Sequence, residues 1–200
     1  MKLLNEALAE RGYHTLTSVQ QAVIAPELEN KDLVVSAETG SGKTVGFGLA
    51  IAPKLLGENK AFDNPGSPLA LIIAPTRELA MQVKQELTWL YEKVGAKIVS
   101  CVGGMDMREE RRSLSKGAHI VVATPGRLRD HIMRKSLLTK QINTVVLDEA
   151  DEMLDLGFQD DLEFILEKTP TNRRTLMFSA TIPDAIIKLS LIHISEPTRR

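Results

Sequence analysis

The chain has 200 residues, 43% of them hydrophobic and 26% charged, with a net charge of −1. That length and mix suit one soluble globular domain with a full core and exclude a disordered or fibrous chain. The near-zero charge excludes a bulk basic field, so any polyanion has to be held by local geometry. No apolar run reaches membrane-spanning length and the first ten residues lack a secretory layout, so a cytoplasmic protein without a membrane partner is expected.

Taken in order, Leu3, Leu4, Ala7 and Leu8 recur at helical spacing and predict a helix over residues 3–11, which Gly12 is placed to end. A second helical stretch follows Ser18 and reaches about residue 29. The apolar run Leu33-Val34-Val35 reads as a strand and residues 45–56 as a helix, with Ala37-Glu38-Thr39-Gly40-Ser41-Gly42-Lys43-Thr44 between them. A strand-to-helix turn of that composition is what a phosphate-binding loop requires. Gly40 and Gly42 permit a tight turn whose N–H groups face an anion, and the helix behind adds the positive end of its dipole. Lys43 would then reach the β and γ phosphates of a nucleotide and Thr44 would ligate Mg²⁺. The bland alternative is an ordinary glycine-rich turn.

Residues 57–68, rich in Gly, Asn and Pro, read as a surface loop. Apolar runs then alternate with helical patterns: strands at 69–74, 97–102, 119–123, 144–147 and 175–178, and helices to about 91, over 106–115, over 126–134 and to 167. The single cysteine, Cys101, excludes an internal disulfide or a cysteine-based zinc site and reads as a small buried strand residue. Runs that are apolar throughout are what parallel strands covered on both faces look like. The expected fold is therefore a doubly wound α/β domain with a mostly parallel sheet and helices on both faces, without an internal repeat. Ligands gather at the strand ends of such a sheet. There lie Pro75-Thr76-Arg77-Glu78, Gly103-Gly104, Thr124-Pro125-Gly126-Arg127, Asp148-Glu149-Ala150-Asp151 and Ser179-Ala180-Thr181. Taken one at a time, these also read as a capping box, plain turns or acidic helix starts.

Together and in this order, the segments resemble the first RecA-like domain of the DEAD-box RNA helicases over residues 6–188, Asp-Glu-Ala-Asp and Ser-Ala-Thr most specifically. The loop with Ala37 at its first position resembles motif I of the second helicase superfamily rather than that of small GTPases or simple kinases. The stretch from Gly12-Tyr13 through Thr17 to Gln20 resembles the Q motif, in which the glutamine reads the adenine edge and so selects ATP. Leu16 stands where many members carry proline. A further stacking aromatic of the family would precede Met1, so the chain is expected to begin late, with an incomplete adenine pocket. The resemblance implies that Tyr13, Gln20 and Thr39, Gly40, Ser41, Gly42, Lys43 and Thr44 bind ATP, and that Thr44 and Asp148 hold Mg²⁺. Lys43, Asp148 and Glu149 would be catalytic, Glu149 orienting and deprotonating a water. Asp151, Ser179 and Thr181 would relay the nucleotide state to RNA. Pro75, Thr76, Arg77, Gly104, Thr124 and Arg127 would grip the RNA backbone without reading bases. The implied parent is an RNA-dependent ATPase that unwinds short duplexes; an ATP-dependent RNA clamp and a DNA-directed P-loop helicase are the alternatives.

Arg108, Arg111 and Arg112 alternate with Glu109 and Glu110 as a solvated helix face would. His14, His119 and His131 share no metal-like spacing and read as structural, and Trp89 and Tyr91 as packing residues. Residues 189–199 resemble, residue for residue, a read-through of the transposon-end adapter of sequencing libraries. Residues 189–200 are therefore expected to be a non-native tail, an amphipathic terminal segment being the alternative. No motif of a second RecA-like domain, which in the family supplies arginine fingers, is found. The 200 residues alone are expected to bind ATP weakly and hydrolyse it barely, because an arginine finger is worth on the order of a thousandfold or more in rate.

Overall fold

A computed structural model describes residues 1–193 and 198–199. Helix α1 (Lys2–Glu10) ends before Gly12, which takes φ 79°. Helix α2 (Ser18–Val23) starts from a reciprocal cap: Gln20 N–H donates to the Thr17 hydroxyl and Thr17 N–H to Gln20 Oε1. It is shorter than the sequence pattern predicts. Pro26 lacks an N–H and disfavours helix at the residue before it, so the chain passes instead through a single 3-10 turn, Pro26–Leu28.

Strand β1 (Leu33–Ser36) and helix α3 (Lys43–Leu56) flank the glycine-rich loop. The alternation continues through β2 (Ala70–Ile73), α4 (Arg77–Tyr91), β3 (Ile98–Cys101), α5 (Met107–Ser115), β4 (Ile120–Ala123), α6 (Pro125–Met133) and β5 (Thr144–Leu147). The helical region expected up to residue 167 is two helices, α7 (Ala150–Asp155) and α8 (Gln159–Lys168), separated where Gly157 takes φ 87°. Strand β6 (Arg174–Ser179) and helix α9 (Asp184–His193) follow.

All strand pairs are parallel, in the spatial order β3-β4-β2-β5-β6-β1, with a two-residue strand β7 (Thr198–Arg199) beside β1. Side chains alternate across a strand, and here the alternation divides two cores. Ile72, Val122, Val146 and Phe178 pack against α1 to α4, with Leu4, Phe47 and Leu87 among the partners. Leu71, Val121, Val145 and Met177 face the other way, onto α6 to α9 through Leu128, Met153, Ile165 and Ile186. The fold is the doubly wound α/β domain expected from the apolar runs. Tyr91 is fully buried and its hydroxyl donates to Gly48 O, while Trp89 is half-buried against Tyr13.

Helix α9 crosses the boundary expected near Lys188, and Leu189 is buried in the second core. Residues 194–197 and 200 of the expected tail lie outside the described residues. An apolar segment covers an open sheet face and edge whatever its origin, because unburied strand edges and apolar faces are costly.

The first residue of β6 staples the lower end of the sheet. Arg174 is 2% exposed, and its guanidinium donates to the carbonyls of Lys31, Ala50 and Leu28 at 2.8, 2.8 and 3.0 Å. Arg174→Met is expected to destabilise the chain by about 3 kcal/mol, because two buried carbonyls and a part-buried one lose their donor. Urea denaturation measures this, and an unchanged midpoint would refute the staple.

Candidate functional site

The strand order puts the segments singled out above along one edge of the sheet. The loops after β1, β6 and β5 are neighbours, and those after β2, β4 and β3 form the adjoining half.

In the first half, Gly40 and Gly42 both adopt left-handed φ, 81° and 77°, the turn expected of a phosphate loop. Two side chains from the α2 cap fasten that loop. The Thr17 hydroxyl donates to Ser41 O at 3.0 Å and Gln20 Nε2 to Gly42 O at 3.0 Å. A Cβ at Gly42 would come within 2.5 Å of Gln20 Nε2 and push that amide off the Gly42 carbonyl, and φ 77° itself favours glycine. Gln20 is fully buried, with one N–H and one oxygen lone pair not used by these bonds. Tyr13, expected beside the base, has its ring centroid 5.8 Å from that of Trp89.

Lys43, in the first turn of α3, points its ammonium at the end of β5. Nζ lies 3.2 Å from Asp148 Oδ1 and 3.1 Å from Glu149 Oε1. Lys43, Asp148 and Glu149, the residues expected to be catalytic, therefore lie side by side. Asp148 is fully buried, and among the described residues neither of its oxygens has a hydrogen-bond partner; Ser41 Oγ is likewise buried without one. Burial pushes the Asp148 carboxyl up, against the opposing pull of Lys43. Hard oxygen donors left without hydrogen-bond partners are what a divalent cation of the Mg²⁺ type needs, so the Asp148 carboxylate fits one, and Thr44 stands next to Lys43 in the first turn of α3.

Glu149 sits at φ 49°, ψ 54°, a left-handed conformation costly for any residue but glycine. Its Oε1 accepts from Lys43 at 3.1 Å and from the Thr39 hydroxyl at 3.4 Å. Burial alone would raise its pKa, but hydrogen bonds from Glu152, Lys43 and Thr39 and the Lys43 charge hold it below the ordinary value. Glu152, which the sequence reading overlooked, is the counterpart: its hydrogen bond to Glu149, then burial, push it up to about 7. Glu152 thus keeps its proton on folding, so its contribution to stability is present below the unfolded value of 4.5 and fades as pH rises through about 7. Glu152→Gln is expected to flatten that part of the melting temperature against pH curve; a curve that stays as steep would sink the assignment.

Asp151 and the Ser-Ala-Thr segment are joined directly. Asp151 Oδ2 accepts from the Thr181 N–H at 3.0 Å and the Thr181 hydroxyl at 2.9 Å, and Asp151 N–H donates to Ser179 Oγ at 3.2 Å. Burial would lift the Asp151 carboxyl, yet the Thr181 bonds hold it below its ordinary value.

In the second half, Thr76 caps α4 by accepting from Leu79 N–H, and Pro75 is buried beneath it. The Arg77 guanidinium lies over Gly104, where a Cβ would stand 3.1 Å from Nη1. The Thr124 hydroxyl accepts from Gly103 N–H at 3.4 Å. Arg127 differs from a free phosphate-gripping arginine: Nη1 is turned inward onto Glu110 Oε1 at 3.0 Å and Met105 O at 3.1 Å.

Glu110 corrects the sequence reading of a wholly solvated helix face. It is 7% exposed, and its carboxylate also accepts from Val102 N–H and His131 Nε2, each at 2.8 Å. The missed signal is that Glu110 stands four residues before Leu114, on the apolar side of α5. Burial would raise this carboxyl, but His131, the Val102 amide and Arg127 hold it below its ordinary value. Ligand atoms of Cys101, Glu110 and His131 lie within 4.8 Å of one another, a proximity that histidine spacing did not foretell. The Glu110 oxygens are already engaged, and burial with the Glu110 charge pushes the Cys101 thiol up to about 12. Glu110→Ala is expected to cost about 2–3 kcal/mol, since it strands Arg127, His131 and the Val102 amide. That contribution is present above an unfolded value near 4.5 and disappears as pH falls. A denaturation midpoint unchanged at pH 7 would contradict it.

Sheet, loop and converging charges define a RecA-like domain of the P-loop nucleotide-binding class. The chain belongs to the DEAD/DEAH box helicase family, whose model matches residues 17–189. It is 43% identical over 196 residues to the DEAD-box ATP-dependent RNA helicase CshA of Bacillus subtilis (strain 168), covering 97% of this chain and 38% of that protein. It is 47% identical over 178 residues to the ATP-dependent RNA helicase CshA of Listeria monocytogenes, covering 89% of this chain and 33% of that protein. The crystal structure of the RNA helicase Prp28 from Chaetomium thermophilum bound to ADP matches 98% of this chain and 47% of that chain, with a TM-score of 0.88 and 38% identity. A DEAD box protein from Methanococcus jannaschii matches 96% of this chain and 51% of that one, with a TM-score of 0.87 and 36% identity. The chain thus spans between a third and about half of these relatives. Among the described residues no helix is long and apolar enough to cross a membrane.

Proposed function

We infer that this chain is the ATP-binding half of an ATP-dependent RNA helicase whose parent hydrolyses ATP to remodel short RNA duplexes in the cytoplasm. The observation that carries this is the Lys43 ammonium 3.2 Å from Asp148 and 3.1 Å from Glu149 at the mouth of the glycine loop. Membership of the helicase family, and a relative solved with ADP, support the nucleotide.

In this reading the amides around Ser41 cradle the phosphates and Lys43 reaches the β and γ groups. Gln20 offers its unused N–H and lone pair to adenine, beside Tyr13. Thr44 and Asp148 hold Mg²⁺, which when bound neutralises charge on the phosphate oxygens. Glu149, kept ionised by Lys43 and Thr39, orients the attacking water and takes its proton. Asp151, Ser179 and Thr181 carry the nucleotide state toward the loops after β2, β3 and β4. Pro75, Thr76, Arg77, Gly104 and Thr124 meet the sugar-phosphate backbone there, with Arg127 bracing the Met105 carbonyl from behind. A second RecA-like domain completes the site, and without it turnover stays slow.

The test is ATP affinity and single-turnover hydrolysis by the 200-residue chain with RNA and with DNA of the same sequence. Measurable ATP binding, RNA-selective retention and slow hydrolysis are expected. Robust RNA-stimulated turnover would overturn the need for a second domain, and equal retention of DNA would favour a DNA-directed P-loop helicase.

A further inference from the structure

The charges of α5 are sorted by face. Arg108, Arg111 and Arg112 follow an i, i+3, i+4 spacing that lays them on one side, while Glu110 points into the core and Glu109 lines a separate cleft with Lys84 and Lys97. The arginine side borders a cleft of about 630 Å³ that also receives Lys116 and Lys135. Among the described residues no carboxylate lines it. All five cations are exposed, and among the described residues none lies in an ion pair. The opposite wall is fixed in place. Ala118 N–H donates to Gly66 O at 3.0 Å, and Gly117 (φ 88°) passes so close to Pro65 that a Cβ would meet its carbonyl oxygen at 2.3 Å.

We propose that this cleft is a second polyanion-binding groove, which takes the RNA backbone along the α5 flank from the loop after β3 toward the opposite edge of the sheet, where residues 65–68, Gly117 and residues 135–138 precede β2, β4 and β5. The cations run along α5 from Arg108, four residues beyond Gly104, to Lys116, a distance of about 12 Å. That length faces about three phosphates of a stacked strand. Guanidinium forks match phosphate oxygens in pairs, and among the described residues no aromatic lines the cleft to read or stack a base, so binding is independent of sequence. The groove gives a chain of net charge −1 a local basic track that bulk composition conceals.

The inference rests on the RNA reading of the neighbouring loops, and the experiment separates the two. Anisotropy titrations would compare the 200-residue chain with an Arg108→Gln, Arg111→Gln, Arg112→Gln variant, using uridine oligomers of roughly 6 and roughly 20 nucleotides. The variant is expected to bind the long oligomer about tenfold or more weaker, with a salt slope shallower by about 2 and unchanged binding of the short one. Equal binding of the long oligomer by both proteins overturns the groove and leaves the loop reading standing. Loss of long-oligomer binding in the variant, with no short-oligomer binding by either protein, upholds the groove and overturns the loop reading. If neither oligomer binds the parent chain, both fall. Polyglutamate that displaces the long oligomer at equal charge concentration would make the groove an acidic-protein site and overturn the RNA assignment.

Discussion

Replacing Glu149 with glutamine is expected to lower single-turnover ATP hydrolysis by on the order of a hundredfold or more, as removal of a general base does. ATP affinity is expected to hold or to rise. Lys43 now divides its ammonium between Asp148 and Glu149, at 3.2 and 3.1 Å, and a neutral amide at 149 leaves more of that charge for the triphosphate. The left-handed backbone at 149 suits glutamine no worse than glutamate, so the fold is unaffected. RNA retention with ATP should persist, giving a clamp that binds but does not cycle. Radiolabelled ATP hydrolysis beside a fluorescent-nucleotide titration decides the matter. Hydrolysis retained within about tenfold, or affinity lost in step with it, would remove Glu149 from the role of base.

The second large effect is Lys43→Ala. Here ATP binding itself is expected to fall by on the order of a thousandfold, about 4 kcal/mol. Two losses add up. The phosphates lose their only cation from the loop, and Asp148, fully buried and with no hydrogen-bond partner for either oxygen among the described residues, loses the positive charge facing it. A buried carboxylate without a counter-charge repels an approaching triphosphate or takes up a proton and ceases to hold a cation. Isothermal titration with ATP measures the loss. An affinity within tenfold of the parent chain would mean that the ammonium serves the resting structure and not the nucleotide.

The comparison of Glu110 with Glu149 explains what is legible along a chain and what is not. Glu149 announces itself because it follows an apolar strand and precedes Ala150 and Asp151 in a recognisable order. Glu110 sits in a run of charges, Arg108 to Arg112, and reads as solvent-facing until β3, α6 and α5 are packed together. Only then do a strand-end amide, an arginine and a histidine, up to 21 residues away in sequence, close on one carboxylate. The inward turn of Arg127 and the sorted arginine face of α5 come from the same packing event.

By itself the sequence determined the parallel α/β architecture, because runs apolar on both faces admit few alternatives. It also determined the tight glycine turn before α3, because Gly40 and Gly42 act within a few residues of one another. The tertiary structure alone decided that Glu152 interacts with Glu149 and that Gln20 buttresses Gly42. It also decided which charges are buried. The physical reason is range: turn chemistry and strand patterning are local, whereas desolvation and charge pairing depend on which distant segment arrives on the other side.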